Sequence, residues 1–193
     1  NPSFTAKPED FEDDIVVDTI RNVYQLKTIQ QRNGELGVNR YIISNSETIF
    51  DVLNVYALFK FCGYKDDEIK FDIMPLFETI RGLDGAENTM NKLYNLPIYA
   101  QHLERRKQRQ SIMLGFSDGT KDGGYIKANW EIYRTKEILS NVSDKNQIEV
   151  IFFDGRGGPP ARGGGKTHEF YASQGKTIAV SYTHLRAHET PEH

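Results

Sequence analysis

Glu78, Asp118, Lys121, Arg156 and Arg162 are the side chains of this sequence whose types and spacing point to chemistry. The stretch FFDGRGGPPARGGGKTH, Phe152 to His168, sets six glycines and two arginines between an apolar strand pattern and the start of a helical one. Glycine lets a backbone turn at positive φ and approach a ligand closely. Arginine adds a permanently charged planar fork that meets two phosphate or carboxylate oxygens at once. A solvated loop does not need so many glycines around two arginines, so the composition predicts an anion-binding loop. Arg156 and Arg162 would carry its charge, while Gly157, Gly158, Gly163 and Gly164, with Asp154 just ahead of them, would shape the substrate-binding surface.

Glu78 and Asp118 are hard oxygen donors of the kind that suit Mg²⁺ or Mn²⁺, ions that keep waters and accept substrate oxygens as further ligands. A carboxylate at a strand end also serves as a solvated helix cap, and spacing alone leaves both readings open. Lys121, in SDGTKDGG, could hold an anionic substrate or move a proton, or be a turn lysine in water. GGGKT invites comparison with a nucleotide phosphate loop, but that motif requires glycine where this chain has Pro160, which has no amide donor and cannot take positive φ. His102, beside Arg105, Arg106 and Lys107, is expected on a helix surface, and His168 at a helix terminus. His184 and His188 have the i, i+4 spacing of a helical metal pair.

Positioning these groups requires elements that alternate between strand and helix. Ile15 to Gln31 has apolar residues near a 3.6-residue period and should form a helix that ends at Asn33-Gly34. Four strand-then-helix units follow. Arg40 to Ser44 leads to a helix opened by a Thr48–Asp51 capping box, running through Phe61 and stopped by Gly63. Ile69 to Phe77 precedes Ala86 to Leu96, and Ser111 to Phe116 precedes Tyr125 to Val142. Gln147 to Phe153 precedes a helix beginning over Thr167 to Ser173. The alternation predicts an α/β fold with about four parallel βα units, open or closed into a barrel. In such sheets, ligands gather where the strands end. Glu78, Asp118, Lys121, Asp154, Arg156 and Arg162 all follow or close a predicted strand.

The 193 residues are 38% apolar and 11% aromatic, enough for one core. With 24 basic against 27 acidic residues, the formal charge of −3 offers no basic excess for nucleic acid or an anionic membrane surface, so any anion site must be local. The single cysteine, Cys62, cannot form an intrachain disulfide and fits a reducing, cytoplasmic setting. No apolar run approaches the ~18 residues of a membrane span, and the acidic, polar N-terminus carries no targeting pattern.

PLFET (Pro75 to Thr79), MLGFSDGTKDGGYIKANW (Met113 to Trp130) and FFDGRGGPPARGGGKTH resemble three consecutive signature segments of bacterial phosphoenolpyruvate carboxylases. RYIISNSETIFDVLNVYALFKFCG (Arg40 to Gly63) resembles the strand and helix before them. The likeness covers about residues 15 to 179. It implies a TIM-like α/β barrel enzyme, a homotetramer at full length, that uses Mg²⁺ or Mn²⁺ to join bicarbonate to phosphoenolpyruvate, giving oxaloacetate and phosphate. Carried onto these positions, Glu78 and Asp118 would be metal ligands and Lys121 the active-site lysine assigned to bicarbonate. Arg156 and Arg162 would handle phosphoryl and carboxylate groups, the second also being tied to inhibition by aspartate.

Two departures qualify the resemblance. Asp154 stands where many relatives have histidine; a carboxylate there holds no proton to give at neutral pH unless its pKa is raised, so orienting Arg156 suits it better. The family's upstream catalytic histidine segment and its C-terminal arginines have no counterpart here, so the chain is expected to be an internal fragment, inactive by itself, with open sheet edges. VSYTHLRAHETPEH, from Val180 on, departs from the family pattern. The expected division is a partial barrel domain over residues 1–179 and a non-native tail over 180–193, which removes weight from His184 and His188. A noncatalytic anion- or metabolite-binding module built on the same barrel segment is the alternative reading.

Overall fold

The computed structural model describes residues 4–155, residue 169 and residues 182–184. Helix α1 (Asp14–Asn33) begins where the Asp13 carboxylate accepts the amides of Ile15 and Val16, satisfying two of the donors that a helix start leaves unpaired. It buries Val17, Ile20, Val23 and Leu26, one stripe at three-residue spacing, and ends at Gly34 with φ 78°.

Strand β1 (Arg40–Ile43) leads to helix α2 (Ile49–Phe61), which opens on the expected Thr48–Asp51 capping box. Then come β2 (Asp72–Phe77), α3 (Ile80–Tyr94), α4 (Pro97–Arg105), β3 (Arg109–Gly115), α5 (Ser117–Gly123), α6 (Tyr125–Lys145), β4 (Glu149–Gly155) and β5 (Tyr182–His184). All pairings are parallel and the strands lie in chain order, β1 to β5. This sequential order is that of a segment of a (β/α) barrel, and the fold is α/β as expected. Among the described residues, β1 pairs only with β2. No described helix is long and apolar enough to cross a membrane.

Every residue of β2 is buried, as a parallel sheet covered on both faces requires. Alternation along the strands separates two cores. Ile73, Phe77, Ile112, Leu114, Val150 and Phe152 pack with the helices, against residues such as Leu83 and Met90 of α3 and Ile132 and Leu139 of α6. Met74, Leu76, Met113 and Phe153 form a separate cluster on the other face, the side that a barrel turns inward. At the N-terminal ends of the strands, Asp72 accepts from Ser111 at 2.8 Å and pairs with Arg106 at 2.9 Å, and Arg106 also reaches Glu35 at 2.6 Å.

Several details differ from expectation. Helix α3 starts at Ile80 rather than Ala86, because Thr79 caps it by accepting the amide of Gly82. Helix α4, started by Pro97, and the short α5 are additional elements. His102 is not on a surface: it is 1% exposed, its ring near those of Tyr56 and Tyr99, because α4 turns that face toward the core while Arg105 stays in solvent. His184 lies in the strand β5 and not in a helix. The helix expected over Thr167 to Ser173 is described only at Glu169.

Candidate metal and substrate site

The C-terminal ends of β2 and β3 bring Glu78, Asp118 and Lys121 together. Glu78 is the first residue beyond β2, and Asp118 sits in the first turn of α5, just after β3. Lys121 lies one helical turn further on, within α5 rather than in an open loop, and its Nζ is 2.7 Å from Asp118 Oδ1. The two carboxylates are themselves within hydrogen-bonding reach.

Local packing makes this approach possible. A side chain at position 115 would lie inside van der Waals contact of Glu78 Cβ and 3.1 Å from its Cα, so glycine there lets Glu78 rest against the end of β3. Asp122 of α5 accepts the amide of Ile80 at 3.0 Å, tying α5 to the start of α3. The amide of Phe116 donates to the Gly155 carbonyl at 3.2 Å, which fixes the end of β4 beside the same exit.

The electrostatics of the three groups differ. Partial burial raises the Glu78 carboxyl above its ordinary value, and the Asp118 carboxylate raises it further, against the lowering effect of the Asn45 amide and Lys121. Asp118 is lowered, chiefly by the hydrogen bond from the Lys121 ammonium, and the same contact raises Lys121. Two carboxylates this close repel unless a proton or a cation lies between them, and Lys121 neutralises only one side of the pair. A divalent ion would neutralise both.

Among the described residues, no group of three or more His, Cys, Asp or Glu side chains comes together as a metal cage. Mg²⁺ does not need one: it is commonly held by one or two carboxylates, with waters and substrate oxygens completing the shell. Glu78 and Asp118 therefore fit a metal that is shared with substrate.

Asp154 is the penultimate residue of β4 and lies on the helix-facing side of the sheet. It is paired with Lys136 of α6 at 2.9 Å, and the two side chains are 1% and 0% exposed. Lys136 went unnoticed from sequence, although a lysine on the stripe formed by Ala128, Ile132, Leu139 and Val142 was a visible anomaly. Asn45, whose amide donates to Glu78 Oε1 at 2.7 Å, also went unnoticed. Arg156, Gly157, Gly158, Arg162, Gly163, Gly164 and His168 lie outside the described residues, as does His188.

The model of the family described as phosphoenolpyruvate carboxylase matches residues 7–181. The chain belongs to the phosphoenolpyruvate carboxylase family. Similar curated proteins include the phosphoenolpyruvate carboxylase of Nitrosomonas europaea, 37% identical over 94% of this chain and 21% of that protein. The enzyme of a Synechococcus strain is 36% identical over 82% of this chain and 15% of its own length. That of Nitrosomonas eutropha is 35% identical over 88% and 20%. The chain thus spans about a fifth of the length of the phosphoenolpyruvate carboxylases it matches.

Proposed function

We propose that this chain supplies the divalent-metal and part of the substrate site of a phosphoenolpyruvate carboxylase, the enzyme that joins bicarbonate to phosphoenolpyruvate to give oxaloacetate and phosphate. The observation that carries this reading is the convergence of Glu78, Asp118 and Lys121 at adjacent strand ends, in a chain that belongs to that family.

In this reading Glu78 and Asp118 hold Mg²⁺ or Mn²⁺, which when bound supplies positive charge against the negative charge that develops on substrate oxygen. Lys121 holds the ionised Asp118 in place and offers its ammonium to the bicarbonate. Arg156 and Arg162 take the phosphoryl and carboxylate oxygens, for which a guanidinium fork is better shaped than an ammonium. Bicarbonate oxygen attacks phosphorus, the bond from phosphorus to the enol oxygen breaks, and carboxyphosphate then releases carbon dioxide and phosphate. The nucleophilic carbon left on the three-carbon substrate takes up the carbon dioxide. The proton movements that the family assigns to its histidine segment fall to residues that this chain does not contain.

The test is a transplant. Residues 7–181, placed in the matching segment of the Nitrosomonas europaea relative, should support bicarbonate-dependent formation of oxaloacetate, and Glu78→Gln or Asp118→Asn should each abolish it. A chimaera that stays fully active with Glu78→Gln refutes the assignment.

A further inference from the structure

The Glu78 carboxylate is held by a backbone donor whose direction depends on an unusual residue conformation. Strand β1 leaves the sheet at Ile43, and the chain must turn before α2 begins at Ile49. The turn is pinned on both sides. Ser46 is fully buried, its amide donating to the Leu76 carbonyl at 3.0 Å and its hydroxyl to the Ile43 carbonyl at 3.1 Å. One residue on, the Glu47 carbonyl accepts from Thr89 Oγ1 at 3.0 Å, and the amides of Glu47 and Thr48 donate to Asp51 at 3.0 and 2.7 Å.

Between the end of β1 and the anchored Ser46, Asn45 takes φ 50°, in the left-handed region that asparagine tolerates better than most non-glycine residues. From there its amide donates to Glu78 Oε1 at 2.7 Å, a short, charge-assisted bond to a carboxylate that is partly buried beside another carboxylate.

We propose that Asn45 is the positioning residue of the metal-holding pair: its left-handed backbone aims one amide at Oε1 of Glu78, leaving the other oxygen of that carboxylate for a divalent cation held jointly with Asp118. This rests on the reading of Glu78 and Asp118 as the metal pair. Outer groups of this kind set the rotamer and basicity of a metal ligand. Because the donor is the backbone, side-chain identity at position 45 acts only through φ and the presence of an N–H. Glycine keeps both. Proline has no N–H and cannot take positive φ, and valine keeps the N–H but is strained at that φ.

The test is titration of the full 193-residue chain with Mn²⁺, free ion being followed by electron paramagnetic resonance. Asn45→Gly should bind within about twofold of the unaltered chain, Asn45→Pro about 10- to 100-fold more weakly, and Glu78→Gln with no measurable affinity. Wild-type affinity in Asn45→Pro, with binding lost in Glu78→Gln, overturns the role of Asn45 and leaves the pair standing. Wild-type affinity in Glu78→Gln, or no binding by the unaltered chain, overturns both. Should proline disturb the amide spectrum as a whole, Asn45→Val takes its place with the same expectation of weakened binding. Independently, the Asn45 amide proton of the metal-free chain should resonate downfield and move upfield in Glu78→Gln; an unmoved signal refutes the contact.

Discussion

Lys136 reaches Asp154 across the interface between α6 and the sheet at 2.9 Å, with neither side chain open to solvent. A buried pair of this kind gains little over well-packed apolar residues, but removing one partner strips the other charge of that compensation in a dry place. Lys136→Met should therefore destabilise the chain by about 3–5 kcal/mol, and Lys136→Met with Asp154→Leu should recover most of that loss. Urea unfolding of the two variants checks it. Equal losses in both would show that the charge pairing is not what matters at this position.

His102 gives the fold a pH dependence. Burial, helped by the neighbouring Arg106 and Arg105, pushes its imidazole down to about 4. In the unfolded chain it titrates near an ordinary value of about 6.5. Between those values the unfolded state takes up a proton that the folded state refuses, so stability falls as pH falls. The contribution is complete above the unfolded value and decreases by up to about 3 kcal/mol as pH drops through the window to the folded one. Urea midpoints measured across this range should show the slope, and His102→Leu should remove its share; an identical slope in that variant would assign the effect to other groups.

Gly115 is where the strand end makes room for Glu78. An added Cβ would collide with the Glu78 side chain and lie 3.3 Å from Leu76 Cδ1, with backbone on one side and a packed side chain on the other. Gly115→Ala should cost about 1–3 kcal/mol through overpacking and also weaken Mn²⁺ binding by moving Glu78. Calorimetric titration beside thermal unfolding separates the two effects, and unaltered Mn²⁺ affinity would mean that Glu78 does not need its present position.

Lys121 is what holds Asp118 below the usual carboxylate range. In Lys121→Met the Asp118 carboxyl should titrate at higher pH than in the unaltered chain, which carbon-detected magnetic resonance of the side-chain carboxyl can follow. A titration curve that does not move would place the ammonium elsewhere in solution.

The strand and helix sequence was legible because each βα unit carries its own local signals: the Thr48–Asp51 capping box, the glycine stop after α2, and the buried apolar run of β2. The meeting of Glu78, Asp118 and Lys121 was legible for a related reason, since parallel order forces consecutive strand ends to one side. What escaped notice depends on contacts between units. The side of α4 that faces the core decides that His102 is buried, and this follows from Tyr56 and Tyr99 rather than from the run of basic residues after it. Asn45 escaped because its contribution is a backbone amide, which no residue pattern advertises. The Lys136–Asp154 contact joins a helix to the strand after it, so neither residue reveals its partner by spacing.

Because every described strand lies beside the one made just before it, the paired carboxylates come from neighbouring repeats and need no distant part of the chain to meet. Loop closure over so short a stretch is inexpensive. A ribosome that has released β1 through α6 has already delivered Asn45, Glu78, Asp118 and Lys121, so this corner of the protein can take shape during synthesis, ahead of the glycine-rich segment that follows it.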